Sequence, residues 1–278
     1  MSEFHDLGEI SLNQDDQAWG NLGYWRDETE YSAACRALAL LLGDAAELDA
    51  NSIVMDAGFG CGDQLLLWRD HYKVAQIFGI NFSKSQTEFA KARLQKSDPG
   101  PGQNPAPSAL QYGDATDPRA WAFEYPGGKP DRVVALDCAY HFPGRTDFWK
   151  LSARYLQSEG KVTVTDFMLA KDHQPSSLNH RLLLWMLTRS QIPAGNMVTE
   201  EKYIVQMQQA GFEHINILDI SERVMPGFGK WWRGYRDGPG GQQMRWRSRL
   251  KYGVTARFLD WAWRKNVLRY CLISGTKP

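Results

Sequence analysis

The stretch Asp56-Ala57-Gly58-Phe59-Gly60-Cys61-Gly62 decides the fold class of this chain. It follows the short apolar run Ile53–Ala57 and precedes residues 62–70, which are typical of a helix. A leading acid and alternating glycines between a strand and a helix indicate a tight turn where a ligand approaches the main chain. The dinucleotide fingerprint of dehydrogenases is similar, but its third glycine lies one residue later. It also has an acid after the second strand, where this chain has Asn81.

Strand-like and helix-like runs alternate along the rest of the chain. Such alternation predicts an α/β fold with helices on both faces of a mostly parallel, Rossmann-like sheet. Seven strands are predicted, over residues 53–57, 75–80, 109–112, 132–136, 161–167, 213–220 and 270–275.

The chain is expected to divide into a core and a helical cap. Residues 221–269 hold five of the eleven tryptophans, which is too aromatic for a simple turn, so the predicted cap is rich in tryptophan. We expect an N-terminal helical lid over 1–50, a cofactor-binding core over 51–170, a cap helix insertion over 171–198, and a C-terminal part of the core over 199–278 that carries a basic, aromatic cap segment at about 221–268.

Composition excludes several classes of protein. The 32 basic and 32 acidic side chains cancel, so the whole molecule has no general attraction for nucleic acid. The four cysteines form no CxxC pair, so we predict neither a disulfide framework nor a metal site. The first ten residues lack the apolar stretch of a signal peptide, and no run approaches a membrane span. We therefore expect a cytoplasmic protein.

In their order along the chain, these motifs resemble the class I S-adenosylmethionine (SAM) dependent methyltransferases, over roughly residues 20–170. The resemblance implies SAM as cofactor, with S-adenosylhomocysteine as its product. The implied cofactor-binding residues are Asp56, Gly58, Gly60 and Gly62 at the methionyl part, Asn81 at the ribose, Phe82 against the adenine, Asp114 and Ala115 at the adenine edge, and Asp137 beside the transferable methyl.

Two positions depart from the family pattern, and one further residue joins the predicted site. Asn81 replaces the usual acid, and its amide can bond a ribose hydroxyl without charge assistance. Leu156-Gln157-Ser158-Glu159-Gly160 stands where the family often has L-x-P-G-G. Gln86 has capping-box spacing from Ser83, and we include Gln86 among the cofactor-binding residues.

Within the family, Asn21-Leu22-Gly23-Tyr24-Trp25 resembles the small-molecule branch, which includes sugar, quinone and amine methyltransferases and relatives of cyclopropane fatty acid synthases. In that branch an N-terminal aromatic segment folds over the cofactor. Tyr24 is therefore a candidate catalytic residue, because an aromatic face stabilises a nearby cation. The alternative is that Tyr24 and Trp25 only pack the first helix onto the domain.

His141 and Asp166 are the candidates for proton transfer. Open α/β sheets bind ligands at the carboxyl ends of their strands, and of the six histidines only His141 lies at such an end. Asp166 occupies the equivalent end of the fifth predicted strand, so the two could form a base and its orienting group. Alternatively, His141 is a polar wall residue and Asp166 caps a turn.

The segment Gly229–Arg236 interleaves cations with aromatic residues. Lys230, Arg233 and Arg236 could receive an anionic part of a substrate, or the segment could be a solvated basic face with its tryptophans turned inward. We expect a small, partly apolar or aromatic substrate, methylated on O, N or C, and a homo-oligomer is compatible with the sequence.

Two other functions stay open on the sequence alone. A nucleic-acid methyltransferase is suggested by the basic C-terminal stretch, but Asp137-Cys138-Ala139-Tyr140 lacks the prolines of the base-flipping motif. A SAM-binding regulator without activity is the other alternative, and His141 together with a large cap favours an enzyme instead.

Overall fold

The structure is a computed structural model that describes residues 12–13, 17–96, 107–174 and 177–278. Residues 1–11, 14–16, 97–106 and 175–176 lie outside the described residues. None of the described helices is long and apolar enough to cross a membrane.

The described residues form one seven-stranded sheet in the order β3-β2-β1-β4-β5-β7-β6, which confirms the predicted fold class. Strands β1 to β5 pair in parallel, and β7 runs antiparallel between β5 and β6. The strands are β1 Ile53–Ala57, β2 Gln76–Asn81, β3 Ser108–Tyr112, β4 Arg132–Ala135, β5 Lys161–Leu169, β6 Glu213–Asp219 and β7 Leu268–Thr276.

Helices cover both faces of the sheet, and this explains why β1 and β2 are almost wholly buried apolar runs. The helices are α1 Tyr31–Ala45, α2 Asp63–Leu67 with a π-helical turn Trp68–Tyr72, α3 Lys84–Lys96, α4 Arg145–Tyr155, α5 Leu178–Arg189, α6 Glu200–Gln209, α7 Ser221–Asp237, α8 Pro239–Gln243 and α9 Trp246–Arg264.

The cap segment consists of α7, α8 and α9, which pack together beyond the sheet. The tryptophans of α7 turn inward, because Trp232 is buried and Trp231 stacks on Tyr31 at 5.1 Å between ring centroids. Trp231 also stacks on Trp25 of the N-terminal segment at 5.5 Å. The aromatic part of Gly229–Arg236 therefore packs the cap onto the domain, as the second interpretation of that segment predicted.

Candidate active site

The glycine turn at the carboxyl end of β1 is shaped by three left-handed residues. Gly58, Gly60 and Gly62 have φ angles of +90°, +58° and +91°. A Cβ on Gly58 would lie 2.5 Å from Cys138 Sγ, and one on Gly62 would lie 2.9 Å from Ala90 Cβ. A Cβ on Gly60 would meet nothing within 4 Å. The outer glycines thus permit close packing, while the main chain at Gly60 faces open space that a ligand can use.

Asp56 lies behind this turn and is fully buried. Both of its carboxylate oxygens accept from Gln64 Nε2 at 2.9 Å, and Oδ2 accepts from Trp68 Nε1 at 2.7 Å. Burial raises the pKa of Asp56 to about 6, although the hydrogen bonds from Gln64 and Trp68 act to lower it. Asp56 therefore fixes the turn to α2 and the π-helical turn, and its carboxylate is turned toward protein groups.

Asn81 ends β2 beside the glycine turn. Its Oδ1 accepts from the Gly60 main-chain N–H at 3.3 Å, and its Nδ2 donates to the Ser83 carbonyl and to Gln86 Oε1, both at 3.3 Å. A carboxylate at this position would place an oxygen against the Ser83 carbonyl, and Gln86 would have to turn its amide, so this arrangement favours the amide. Phe82, which follows, is 49% exposed and available to a flat ligand.

Asp114 and Ala115 follow β3 and lie close to the end of β2, because the Gly113 N–H donates to the Asn81 carbonyl at 3.0 Å. Asp114 Oδ1 accepts from the main-chain N–H and the hydroxyl of Thr116, at 2.8 and 2.7 Å. These bonds fix the carboxylate and leave Oδ2 as the atom for an outside donor. Ala115 is buried.

Asp137 lies two residues after β4, next to β1, where the order of the sheet reverses. Its Oδ1 accepts from the hydroxyls of Tyr270 at 2.6 Å and Tyr140 at 3.0 Å, and its Oδ2 accepts from the Leu22 N–H at 2.7 Å. Burial raises the pKa of Asp137 to about 7, and these hydrogen bonds act in the opposite direction. The carboxylate is thus a junction between β4, β7 and the N-terminal segment.

The N-terminal segment Asn21–Trp25, here called the strap, is held at several points. Besides the Leu22 bond, the Tyr24 N–H donates to the Ala34 carbonyl at 2.8 Å, and the Trp25 N–H donates to the Arg223 carbonyl at 2.7 Å. Tyr24 is half-buried and packs against the apolar core that includes buried residues of α1 and α7. The strap therefore lies between the end of β4 and the cap.

His141 ends a short 3-10 turn, Ala139–His141, that follows β4. Burial lowers the pKa of its imidazole to about 4; a hydrogen bond to the Gln191 main chain acts to raise it, and the charge of Lys251 lowers it further. Gln191 follows α5 and Lys251 lies on α9, so both cap regions reach this side chain. His141 is therefore neutral at physiological pH.

Residues 24–217 match a family model described as a methyltransferase domain, and this match spans well over half of the chain. The chain belongs to this methyltransferase family. The predictions of a SAM-dependent methyltransferase fold, an enzyme and SAM as cofactor are thereby confirmed.

Similar proteins agree with this assignment. Erythromycin 3''-O-methyltransferase of Saccharopolyspora erythraea is 30% identical over 227 residues, which are 79% of this chain and 70% of that protein. Cyclopropane synthase MmaA2 of Mycobacterium tuberculosis superposes with a TM-score of 0.78 and 16% identity, over 99% of this chain and 95% of that one. Phosphoethanolamine N-methyltransferase 2 of Haemonchus contortus superposes with a TM-score of 0.72 and 15% identity over 88% of this chain. This chain spans about half (53%) of the length of that protein.

In the methyltransferase, Asp166 lies inside β5 and not at its end, because the strand continues to Leu169. Its side chain is wholly buried: Oδ2 pairs with Arg145 at 2.7 Å and accepts from the Tyr203 hydroxyl at 2.8 Å, and Oδ1 accepts from the Phe167 N–H at 2.8 Å. These partners occupy both oxygens. The predicted role of orienting His141 therefore does not fit Asp166, whose bonds join β5 to α4 and α6.

Three residues near the site were absent from the sequence prediction. The Gln191 carbonyl takes the place proposed for Asp166 beside the imidazole. Asn196 Nδ2 donates to the carbonyls of Tyr140 at 3.0 Å and Phe142 at 2.8 Å, on either side of His141. Arg145 donates to the Asn196 carbonyl at 2.6 Å. A main-chain carbonyl and two side chains from distant elements leave no local signal in the sequence.

Proposed function

We propose that this enzyme transfers the methyl group of SAM to a hydroxyl oxygen of a small, partly apolar molecule, with His141 as proton acceptor. The observation that carries the proposal is the position of the imidazole after β4, where it bonds the Gln191 main chain, while burial lowers its pKa to about 4 and keeps it neutral. A nitrogen that donates to a carbonyl leaves the other nitrogen with a lone pair for an incoming proton. An oxygen nucleophile needs such an acceptor, whereas a neutral amine does not.

The residues around the glycine turn would hold the cofactor. Open space at Gly60 accommodates the methionyl part, and Asp137 would lie beside it. Asn81 and Gln86 form one hydrogen-bonded pair at the proposed ribose position. The adenine would lie against Phe82, with its amino group near Asp114 Oδ2 and its edge near Ala115. Gly58 and Gly62 would allow the turn to close, and Asp56 would stabilise it from behind.

Tyr24 is proposed to cover the reaction site. The strap that carries it is bonded to Asp137 through Leu22 and to α7 through Trp25. SAM supplies a methyl group on a positively charged sulfur. An aromatic ring above that position would stabilise the cation and exclude water from the displacement.

The character of the substrate is inferred from the cap. Leu178, Leu182 and Trp185 lie at helical spacing on α5 and are 80%, 42% and 58% exposed. The same helix leads to Gln191, which bonds His141. An exposed apolar face on the helix that leads to the base suits a large, partly apolar molecule that presents one hydroxyl. The name of the 30% identical relative, which methylates an oxygen of erythromycin, favours the same class.

A single labelling experiment tests the proposal. The enzyme is incubated with SAM labelled in its methyl group and three acceptor sets: macrolide glycosides with free hydroxyls, the same compounds with those hydroxyls already methylated, and an RNA pool. We expect label on an oxygen of the first set only, located by mass spectrometry. Label in the amines of either macrolide set, or in RNA, would contradict O-methylation, and the RNA result would favour the nucleic-acid alternative.

A further inference from the structure

A cleft of about 550 Å³ lies between α7 and α9. Four arginines line it, Arg233 and Arg236 from α7 and Arg249 and Arg257 from α9. Its lining includes none of the residues of the candidate active site. The cleft is therefore a separate feature of the cap.

The floor and walls of the cleft are apolar. Trp232 is buried beneath the floor of the cleft. Gly253 adds no side chain above it, and a Cβ at Gly253 would lie 3.5 Å from Trp232 Nε1. Trp246 and Leu250 rise on the α9 side and are 70% and 57% exposed. Exposed apolar side chains that adjoin one another, with polar residues around them, are typical of ligand-binding grooves.

Positive charge in the cleft exceeds the negative charge that faces it. Asp260 is the one acid among the described lining residues, and it already pairs with Arg264 at 2.5 Å. Arg233 lies 3.9 Å from the same carboxylate, and Arg236 pairs with its neighbour Asp237 at 2.8 Å. Residues 238–259, which carry Arg249 and Arg257, include five cations and no acid. The α9 side of the cleft is therefore its most positive part.

We propose that this cleft binds a small amphipathic anion, in which a carboxylate, phosphate or sulfonate is joined to an aromatic or aliphatic body. The body would lie over Gly253, against Trp246 and Leu250, and the anion would bond the guanidinium groups of Arg249 and Arg257. Planar guanidinium groups bond such anions through paired N–H donors. The volume of the cleft is in the range of small-molecule sites, about 300–1,000 Å³.

The concave shape favours a small molecule over a bilayer. A flat anionic surface would meet the exposed ridge of Trp246 and Leu250 first, and it would not reach buried Trp232. It would also contact Arg245 and Arg247, which lie on the same helix region outside the cleft lining. Replacing Arg249 and Arg257 would therefore weaken binding in the cleft, whereas replacing Arg245 and Arg247 would change only the general charge of the helix region.

The probe for the test is 8-anilinonaphthalene-1-sulfonate, an aromatic anion whose fluorescence rises when it binds. Arg249→Gln/Arg257→Gln should weaken its binding by about tenfold or more, since two charge-assisted hydrogen bonds are lost. Arg245→Gln/Arg247→Gln removes the same charge next to the cleft and should leave the dissociation constant within about twofold. Gly253→Leu fills the floor without changing charge and should also abolish binding. Circular dichroism and thermal melting confirm that each variant is folded.

Three results would overturn the proposal. The first is equal weakening by the two double variants, which would assign the affinity to the overall charge of α9. The second is equal affinity of the uncharged analogue N-phenyl-1-naphthylamine, which would leave the arginines without a role. The third combines two measurements. The protein would sediment with phosphatidylglycerol vesicles, and Arg245→Gln/Arg247→Gln would reduce this sedimentation as much as Arg249→Gln/Arg257→Gln does. In addition, Gly253→Leu would leave binding of the fluorescent probe unchanged.

Discussion

The main-chain N–H of Leu22 donates to Asp137 Oδ2 across 2.7 Å and joins residues that are 115 positions apart in the sequence. Since Tyr140 and Tyr270 donate to the other oxygen, Asp137 accepts three hydrogen bonds and donates none through its carboxylate. This bond couples the strap to the end of β4.

Asp137→Asn tests this coupling. An asparagine must direct its NH₂ group at one of the converging donors, which costs about 1–3 kcal/mol for the bond left unmade. We expect SAM to bind about tenfold more weakly in calorimetry. Hydrogen exchange of the Leu22 and Trp25 amides should also become faster. Asp147→Asn, which changes an exposed carboxylate beside Lys150 in the same way, should alter neither quantity.

The raised pKa of Asp137 predicts a specific dependence of stability on pH. Because this pKa is about 7 in the folded protein against 3.8 ordinarily, the folded chain holds a proton that the unfolded chain has released between these values. The free energy of unfolding therefore falls as the pH rises through this window and becomes constant above it.

Urea denaturation of the wild type and Asp137→Asn, from about pH 5 to about pH 8, measures this contribution. The difference between the two proteins isolates Asp137, since Asp56, whose pKa is raised to about 6, titrates in both. We expect the wild type to lose stability relative to the variant up to about pH 7. A difference that does not change with pH would show that Asp137 titrates normally.

Local patterns in the sequence sufficed for the parts of the site that depend on strand ends. The strand before Gly58, the glycine turn and the polar residues after β2, β3 and β4 all follow from short motifs, and the sheet brings their ends together. The antiparallel pairing of β5 with β7 was not predicted. It extends β5 to Leu169, and this is why Asp166 is an interior residue of the strand.

The residues that the sequence did not reveal interact across large separations. Asn196 bonds the main chain on both sides of His141 from 56 and 54 positions away. Gln191 acts through its main chain, so its side-chain identity carries no information. The inward turn of Trp231 depends on Tyr31 and Trp25, which lie at the other end of the chain. Such contacts follow from tertiary packing, which periodicity does not encode.

Gly60→Val tests the proposed cofactor position. A branched side chain would occupy the open space at Gly60, where φ is +58°, and should abolish SAM binding in calorimetry. Gly211→Val is the matched control, because Gly211 also has a positive φ, of +99°, and nothing within 4 Å of its Cβ position. Both variants should lose stability through main-chain strain, but only Gly60→Val should lose its affinity for SAM. Unchanged affinity in a folded Gly60→Val protein would refute the assignment.

His141→Gln tests proton transfer. If the imidazole accepts the proton of the hydroxyl, the rate should fall by about 10²–10⁴-fold while the affinity for SAM is retained. Since the pKa of His141 is lowered to about 4, the wild-type rate should not change through the usual histidine range near 6.5 and should fall only as the pH approaches about 4. Single-turnover rates against pH measure both effects. Equal rates for the two proteins would show that His141 only lines the site and accepts no proton.

The buried pair of Arg145 and Asp166 should stabilise the fold without taking part in the reaction. Their side chains are 1% and 0% exposed, and Tyr203 packs against the guanidinium at 4.4 Å while its hydroxyl bonds the carboxylate. Arg145→Met leaves a buried carboxylate without its cation and should lower the free energy of unfolding by about 3–5 kcal/mol. The double variant Arg145→Met/Asp166→Leu removes both charges and should recover much of this loss. The kcat of the double variant, measured well below its melting temperature, should stay within a few-fold of wild type. A loss of kcat comparable to that of His141→Gln would show instead that Asp166 takes part in the reaction.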